Sequence, residues 1–443
     1  MNVVNSTVNP GISITNDTGT TSFTSLNVSS VNGTGLFANN GGALVINGAQ
    51  VAAAGGTILA TNGTAVDIEN TTMNIYLFSV SSSNAAVGIK LLNAQGAFAV
   101  FGNSNETAGA GGTIQGDTIG IQAVNSGAVG LLSMNLNGNG TGIQAQDLVN
   151  LSLTNVNVTN SSSFGINALD TKTIVVLSSN FSGNGGPNVA TSVDTTGSYA
   201  FSFLANRFTS TTSDNIQVTT LSGGQGATVN LVAQGNQFQN ESVGTAGINV
   251  NWNGTLSATV TQNEFLTSGG SNTGVKINNG ATNALSTIAF TNNTFGSEGG
   301  SDTALNVVLA GTGQINVASN GIQFAADTGT AFHFSLGAAS TVNVTGNTII
   351  DTTDGATAMQ FDTIAASSNL AVSGNTIQLS QNGAELTSGI IISNVTGTTQ
   401  GSQNFFLNLS SASNNTISGA NTLFFAPTNT TAGEVLINGS PMP

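Results

Sequence analysis

The sequence predicts an all-β chain folded as a right-handed, single-stranded parallel β-helix, a solenoid of roughly 16 coils. Three observations predict it. A segment of the form apolar, any, apolar, two further residues, Asn, any, then Phe or Ile recurs down the second half of the chain. A four-residue segment of small, apolar, polar and apolar residues falls inside every interval. Both have the period of two expected of half-buried strands, and both are bounded by Gly, Asn, Ser and Thr, which leaves little room for helix.

The asparagine segment runs Phe201, Phe203, Asn206, Phe208; Leu231, Ala233, Asn236, Phe238; Ala258, Val260, Asn263, Phe265; and Ile288, Phe290, Asn293, Phe295. It continues as Ile315, Val317, Asn320, Ile322; Val342, Val344, Asn347, Ile349; and Leu370, Val372, Asn375, Ile377. The asparagines step by 30, 27, 30, 27, 27 and 28 residues. The second segment reads Gly247-Ile248-Asn249-Val250, Gly274-Val275-Lys276-Ile277, Ala304-Leu305-Asn306-Val307, Ala331-Phe332-His333-Phe334, Ala358-Met359-Gln360-Phe361 and Gly389-Ile390-Ile391-Ile392. In the first half it recurs at Ala65, Gly88, Gly120, Gly142 and Gly165, with looser spacing of 23, 32, 22 and 23 residues. Two short strands per unit at such periods describe coils that are stable only when stacked.

The repeated asparagine has two expected roles. It tolerates the left-handed backbone conformation, so it can bend the chain from one side of a coil to the next. Stacked in successive coils, its amides can also bond to one another as a ladder. Two residues on, Phe208, Phe238, Phe265, Phe295, Ile322, Ile349 and Ile377 are expected to form an inward column.

The whole chain, 1–443, reads as a single β-helix domain, with less regular coils or a cap over 1–64, regular coils over 65–400 and a C-terminal coil or cap over 401–443. From Asn375 to Asn415-Thr416-Ile417 the step is 40 residues and includes Phe405-Phe406, with Phe424-Phe425 downstream. A longer final coil and a loop insertion both fit. The N-terminus, Met1-Asn2-Val3-Val4-Asn5-Ser6, has no basic stretch leading into an apolar one, so no signal peptide is read there: either a targeting sequence has been removed or the chain is a piece of something larger, which repeats that begin almost at once favour.

Composition narrows the function classes. Only 5% of residues are charged, four basic against nineteen acidic, for a formal net charge of −15. Nucleic acid and anionic membrane surfaces both call for clustered Lys or Arg, which Lys90, Lys172, Arg207 and Lys276 do not supply. Mean hydropathy is +0.16, yet no run of 18 apolar residues is present, so no membrane insertion within the chain is expected. The absence of cysteine excludes disulfide and thiol chemistry.

The asparagine-centred coils, the low charge and the Gly/Ser/Thr/Asn turns resemble the parallel β-helix passenger domains of bacterial autotransporters and large surface adhesins. Locally, Phe37-Ala38-Asn39-Asn40 followed by Gly41-Gly42-Ala43-Leu44 is similar to short motifs of polymorphic outer-membrane proteins, with partial echoes at Gly55-Gly56-Thr57-Ile58, Gly111-Gly112-Thr113-Ile114 and Phe181-Ser182-Gly183-Asn184. The resemblance implies a non-enzymatic, extracellular or outer-membrane surface protein whose partner is a cell-surface glycan or protein. Such passengers precede a membrane barrel, and no girdled set of barrel strands ends this sequence.

The same architecture hosts polysaccharide-degrading enzymes. A lyase needs a basic site that four scattered cations cannot form. A glycosidase needs paired carboxylates, about 5.5 Å apart for retention and up to 9.5 Å for inversion. Asp302, Asp327 and Asp354 precede the small-apolar strand in consecutive coils, where neighbours about 4.8 Å apart span both distances, with Asp351 and Asp362 nearby. Ca²⁺ is the one cofactor such oxygens suit, although the repeat lacks the Asp-bearing nonapeptide of calcium solenoids.

The remaining candidate is the surface itself. Asn249, Lys276, Asn306, His333 and Gln360 form an outward polar strip, continuing one formed by Gln122, Gln144 and Asn167, on which the lone histidine sits between inward Phe332 and Phe334. Lys90 is expected to stack against Asp67 in the same column. Thr259, Thr261 and Thr291 face outward on the other strand and raise an ice-binding alternative, but Asn316, Ala318, Asn343 and Ser373 interrupt the array. Asn-x-Ser/Thr sequons at Asn27, Asn32, Asn139, Asn157 and Asn408 are what chance provides in this composition. The expectation is therefore an adhesin or passenger domain, with a glycoside hydrolase or depolymerase using the edge aspartates and a self-associating sheath or surface-layer subunit as the alternatives.

Overall fold

Each repeat closes into a turn of three short strands, one more than the periodicity suggests, and successive turns stack in parallel. A computed structural model describes all residues except 7–8, 48–54, 103–108, 211, 241, 269, 326–328, 353–354, 366–367, 381–387, 393–394, 397–404, 409–414, 419–421, 426–434, 438–439 and 442–443. It is a parallel β-solenoid with essentially no helix. Turn length is uneven, and the turn from Asn375 to Asn415 alone takes 40 residues. Among the described residues the one helix is a 3-10 turn at Ser222–Gly224. The chain comprises two compact units, Met1–Asp194 with Tyr199–Thr212, and Thr195–Ser198 with Ser213–Pro443.

In unit 1 the small-apolar strand forms the first sheet, from Ile12–Thr15 through Leu36–Asn39, Val66–Glu69, Val87–Leu92, Ile119–Val124, Thr141–Gln146 and Ile166–Leu169 to Val189–Val193. Thr72–Leu77, Gly96–Val100, Ala128–Leu132, Asn150–Thr154 and Thr173–Leu177 stack in a second. Asn135–Asn137, Asn157–Thr159, Asn180–Ser182 and Arg207–Ser210 belong to a third. From Thr113–Gln115 onward the third strand escapes the periodicity because it is three or four residues long and follows directly on a bend. Its one inward residue reads as the tail of the strand before it.

The small residue that opens each first-sheet strand is a packing requirement. It is the first of two consecutive buried residues at a corner, as in the burial of Thr141–Gln146. A Cβ on Gly142 would lie 2.5 Å from the Gly165 carbonyl oxygen of the next turn and 2.6 Å from Val158. The Gly-Gly-Ala-Leu motif is likewise coil construction. Gly42 has φ +63°, and a Cβ there would meet the Gly19 carbonyl at 2.4 Å.

Exposed turns of unit 1 carry a surface asparagine ladder. Asn16, Asn40, Asn70, Asn93 and Asn125 all have left-handed φ between 46° and 52°, the conformation that asparagine tolerates. Asn40 bonds Asn16 at 3.3 Å, Asn93 bonds Asn70 at 3.1 Å and Asn125 bonds Asn93 at 2.9 Å.

A buried corner of the same unit holds Asp117, 2% exposed. Its Oδ1 accepts the Ala85 amide at 2.6 Å, while Oδ2 has no hydrogen-bond partner. Burial holds this carboxyl above its ordinary pKa, with the Ala85 amide and the nearby Ser82 hydroxyl opposing. A carboxyl with a raised folded pKa stabilises the fold below its unfolded pKa, and that contribution is lost as pH rises through the raised value. Asn139 and Asn184 occupy the equivalent corner in later turns and donate Nδ2 to the carbonyls of Ile114 at 3.2 Å and Val158 at 3.1 Å. Asp117→Asn is therefore expected to stabilise the protein by about 1 kcal/mol at neutral pH and by little below about pH 3. Denaturant melts at both pH values check this; an equal gain at both would reject the burial account.

Unit 2 contains the regular repeats. Its first sheet runs from Ile216–Thr220 through Ala246–Trp252, Thr273–Asn279, Thr303–Leu309, Thr330–Leu336 and Thr357–Ala365 to Ser388–Ile392. Asn236, Asn263, Asn293, Asn320, Asn347 and Asn375 are buried and form a continuous ladder that ends on Asn415. At Asn320, Oδ1 accepts the backbone amide of Asn293 at 2.9 Å and its Nδ2 at 3.1 Å. Its Nδ2 donates to Phe290 O at 2.8 Å and to Asn347 Oδ1 at 2.9 Å. All four hydrogen-bonding sites of the amide are thus satisfied.

The expected bending role of these asparagines is corrected. The left-handed residue is the one before each: Gly235, Gln262, Asn292, Ser319, Gly346 and Gly374, with φ of 56° to 65°. The ladder residue must keep its own amide aimed at the next Oδ1, and the bend is delegated to its exposed neighbour. The inward column is as expected, with Phe238, Phe265, Phe295, Ile322, Ile349 and Ile377 paired in register. After it, Phe405–Asn408 and Thr422–Phe425 continue the second and first sheets as parallel strands. This favours a longer final coil over a plain insertion.

Candidate functional site

The outward strip of unit 2 is in register. Asn249 pairs with Lys276, Lys276 with Asn306, Asn306 with His333, and His333 with Gln360. Four of the five are half-buried and Lys276 is exposed. Asn249 is tied at one end, where Asp214 accepts its Nδ2 at 2.8 Å together with Gln217 Nε2 at 2.9 Å and the Ala246 amide at 2.7 Å.

At the other end the strip carries a residue that the repeat does not anticipate. Phe334 pairs with Phe361 but Ser335 with Thr363, so the strand Thr357–Ala365 has one extra residue, Asp362, in a β-bulge. A bulge re-aims a side chain out of the alternation. Asp362 Oδ2 lies 2.5 Å from His333 Nε2, and Asp362 Oδ1 accepts Gln360 Nε2 at 2.7 Å. His333 Nδ1 is 3.0 Å from Asn306 Oδ1. With side-chain exposures of 21% and 37%, the pair contributes about 1 kcal/mol at most. The strand is nine residues long where Thr330–Leu336 before it has seven.

Of the three candidate carboxylates the structure describes one, Asp302. Asp302 is 0% exposed. It accepts the Asn272 amide at 2.5 Å, the Ser297 hydroxyl at 2.9 Å and the Thr267 hydroxyl. A carboxylate enclosed by three donors is a corner brace that substrate does not reach. Asp327 and Asp354 lie outside the described residues. Asp351 is buried, and Asp362 faces His333. Among the described residues no cluster of three or more His, Asp or Glu side chains could hold a metal ion.

Two cations of unit 1, Lys90 and Lys172, are engaged locally. Lys90 is 3.6 Å from Asp67 as expected, and closer still to Glu69, a partner the column register does not reveal. The Glu69 hydrogen bond raises the Lys90 pKa. Burial raises that of Asp67 and outweighs the attraction of Lys90. Lys172 donates to the Tyr199 hydroxyl at 2.8 Å with its ammonium 4.1 Å from the ring centroid, and that hydroxyl donates to Asp170 at 3.0 Å.

The outer face of the second sheet in unit 2 is uncharged and mostly polar along its central strands. Ser257, Thr287, Gln314 and Thr341 form one column, Thr259, Ala289, Asn316 and Asn343 the next, and Thr261, Thr291, Ala318 and Thr345 a third. A shallow groove of about 310 Å³ lies between the first two. The threonines face outward but do not form an unbroken array. Of the sequons, Asn139 is buried and so closed to glycosylation in the folded chain, and Asn408 has no described side chain. No helix among the described residues is long and apolar enough to cross a membrane. No protein-family model, curated protein or solved structure matches this chain.

Proposed function

We propose that the protein is a non-enzymatic binding protein of adhesin or passenger type, acting outside the cell or on the outer surface of a bacterium. Its sheets would offer repeated hydrogen-bonding positions to a cell-surface glycan or protein. The observation that carries this reading is the outer surface of unit 2, where amide and hydroxyl side chains recur in registered columns on the second sheet and, interspersed with Lys276 and His333, on the first. Spacing of about 4.8 Å between strands makes such a face multivalent: many weak contacts add along one ligand. The resemblance of the coils to surface passengers supports the location, and the low charge supports a ligand recognised by hydrogen bonds more than by ion pairs.

The test is binding of the whole chain to a glycan panel and to intact cells, beside an assay for reducing-sugar release from polysaccharides. Binding without turnover is expected. Gln314→Lys with Asn343→Lys, at an exposed and a half-buried outward position, is expected to weaken it about tenfold with the melting temperature unchanged. Sugar release would replace this reading with the hydrolase one. Ordered assembly under the electron microscope without binding would replace it with the sheath.

A further inference from the structure

The third sheet of unit 2 has an outward column of Gln239, Leu266, Gly296 and Gln323 in register. Most glycines of the coil are explained by geometry, as Gly142 is by crowding and Gly346 by its left-handed φ of 64°. Gly296 has neither reason. Its φ is not positive, and a Cβ there would meet only Leu266 Cδ2 at 3.4 Å, an ordinary contact. A strand interior without a side chain is weaker, so the coil would be better served by another residue. What the glycine does is leave a hole.

The hole is a cavity of about 300 Å³, at the small end of ordinary ligand pockets. It is lined by Gly296 and by Leu266, a large apolar residue left 47% exposed. The amide residues Gln239 and Gln323, the hydroxyl residue Ser268 and the carboxylate residue Glu298 also line it. An apolar patch among amide, hydroxyl and carboxylate residues matches a pyranose, whose C–H face is apolar and whose hydroxyls both donate and accept. None of the lining residues is cationic, and Glu298 opposes an anionic ligand. We infer that this cavity is a subsite for one neutral hexose or N-acetylhexosamine unit of a glycan. The inference rests on the glycan-binding reading proposed above, and it locates one contact on a different sheet from the polar columns.

The test uses saturation-transfer NMR and titration of the whole chain with glucose, galactose, mannose, N-acetylglucosamine and galacturonate, for the wild type, Gly296→Val and Gln323→Ala. At least one neutral sugar is expected to saturate the wild type and galacturonate is not. Gly296→Val fills the hole and is expected to weaken binding about tenfold or more. It should leave the melting temperature equal or higher, since valine suits an outward strand position. A merely structural glycine would give the opposite pattern, lower stability with unchanged binding. Binding indifferent to Gly296→Val, or no binding of any neutral sugar, would overturn the subsite. In either case glycan or cell binding by the whole chain would still uphold the adhesin reading, and loss of all such binding would remove both.

Discussion

Asn320→Ala is expected to destabilise unit 2 by about 4 kcal/mol, far more than a typical surface substitution. The reason is what the truncation leaves behind. The backbone amide and Nδ2 of Asn293 both lose their acceptor, and Phe290 O loses its donor. Each buried group left without a partner costs about 1–3 kcal/mol. Asn320→Asp should be at least as damaging at neutral pH, because a carboxylate would face Phe290 O and Asn347 Oδ1, two acceptors that Nδ2 now serves. In a solenoid the damage is local before it is global, since each turn rests on its neighbours. Amide hydrogen exchange reads it directly. The Asn293 amide should lose protection in Asn320→Ala, while the Asn16–Asn125 ladder of unit 1 keeps its own. Unchanged exchange at Asn293 would show that the ladder is geometric coincidence and contributes no stability.

The fold was legible because coil construction repeats, and repetition amplifies weak signals. One Asn-x-Phe or Asn-x-Ile means little, but seven at steps of 27 to 30 residues locate the same corner seven times. The strand opened by Gly247 or Ala304 was legible for a similar reason, since crowding against the next turn's carbonyl admits only small residues there. The division of labour within the corner was not legible. Gln262, Asn292 and Ser319 take the left-handed conformation, and nothing in their identities marks them, because an exposed single-residue bend accepts many side chains at modest strain. The short third strand was lost for want of length.

The site was legible only where it follows the repeat. The column from Asn249 to Gln360 is in register because alternation with a period of two puts equivalent residues on one face. Asp362 breaks that alternation, and a bulge is an insertion whose position is fixed by packing on both sides. The pairing of Lys90 with Glu69 depends on side-chain reach across the sheet, which strand register does not encode. Asp302 shows the converse error. Its sequence position beside a strand suggested an accessible edge, whereas the Asn272 amide and the Ser297 and Thr267 hydroxyls draw it inside.

Phe265→Ala is the second large effect, expected to cost about 4 kcal/mol. The ring lies 4.8 Å from that of Phe238, with the planes 6° apart, and 6.3 Å from that of Phe290. It is also what a Cβ on Gly247 would strike, with ring atoms at 2.8 and 2.9 Å, so the aromatic column and the small-residue corner are complementary surfaces. Removing the ring leaves a cavity that the hydrogen-bonded ladder and three parallel sheets prevent from collapsing, which places the cost toward the upper part of the range for such truncations. Phe265→Leu keeps most of the volume and should cost about 1.5 kcal/mol. The informative variant is the double one. A Cβ on Gly247 also meets the Gly274 carbonyl oxygen at 2.8 Å, so removing the ring relieves one of two obstacles, and Gly247→Val should cost less in the Phe265→Ala background than in the wild type. Thermal melts of the four proteins measure this coupling. Additive losses would mean that the two residues do not share one space, and that the size of the corner residue is set by the backbone of the next turn alone.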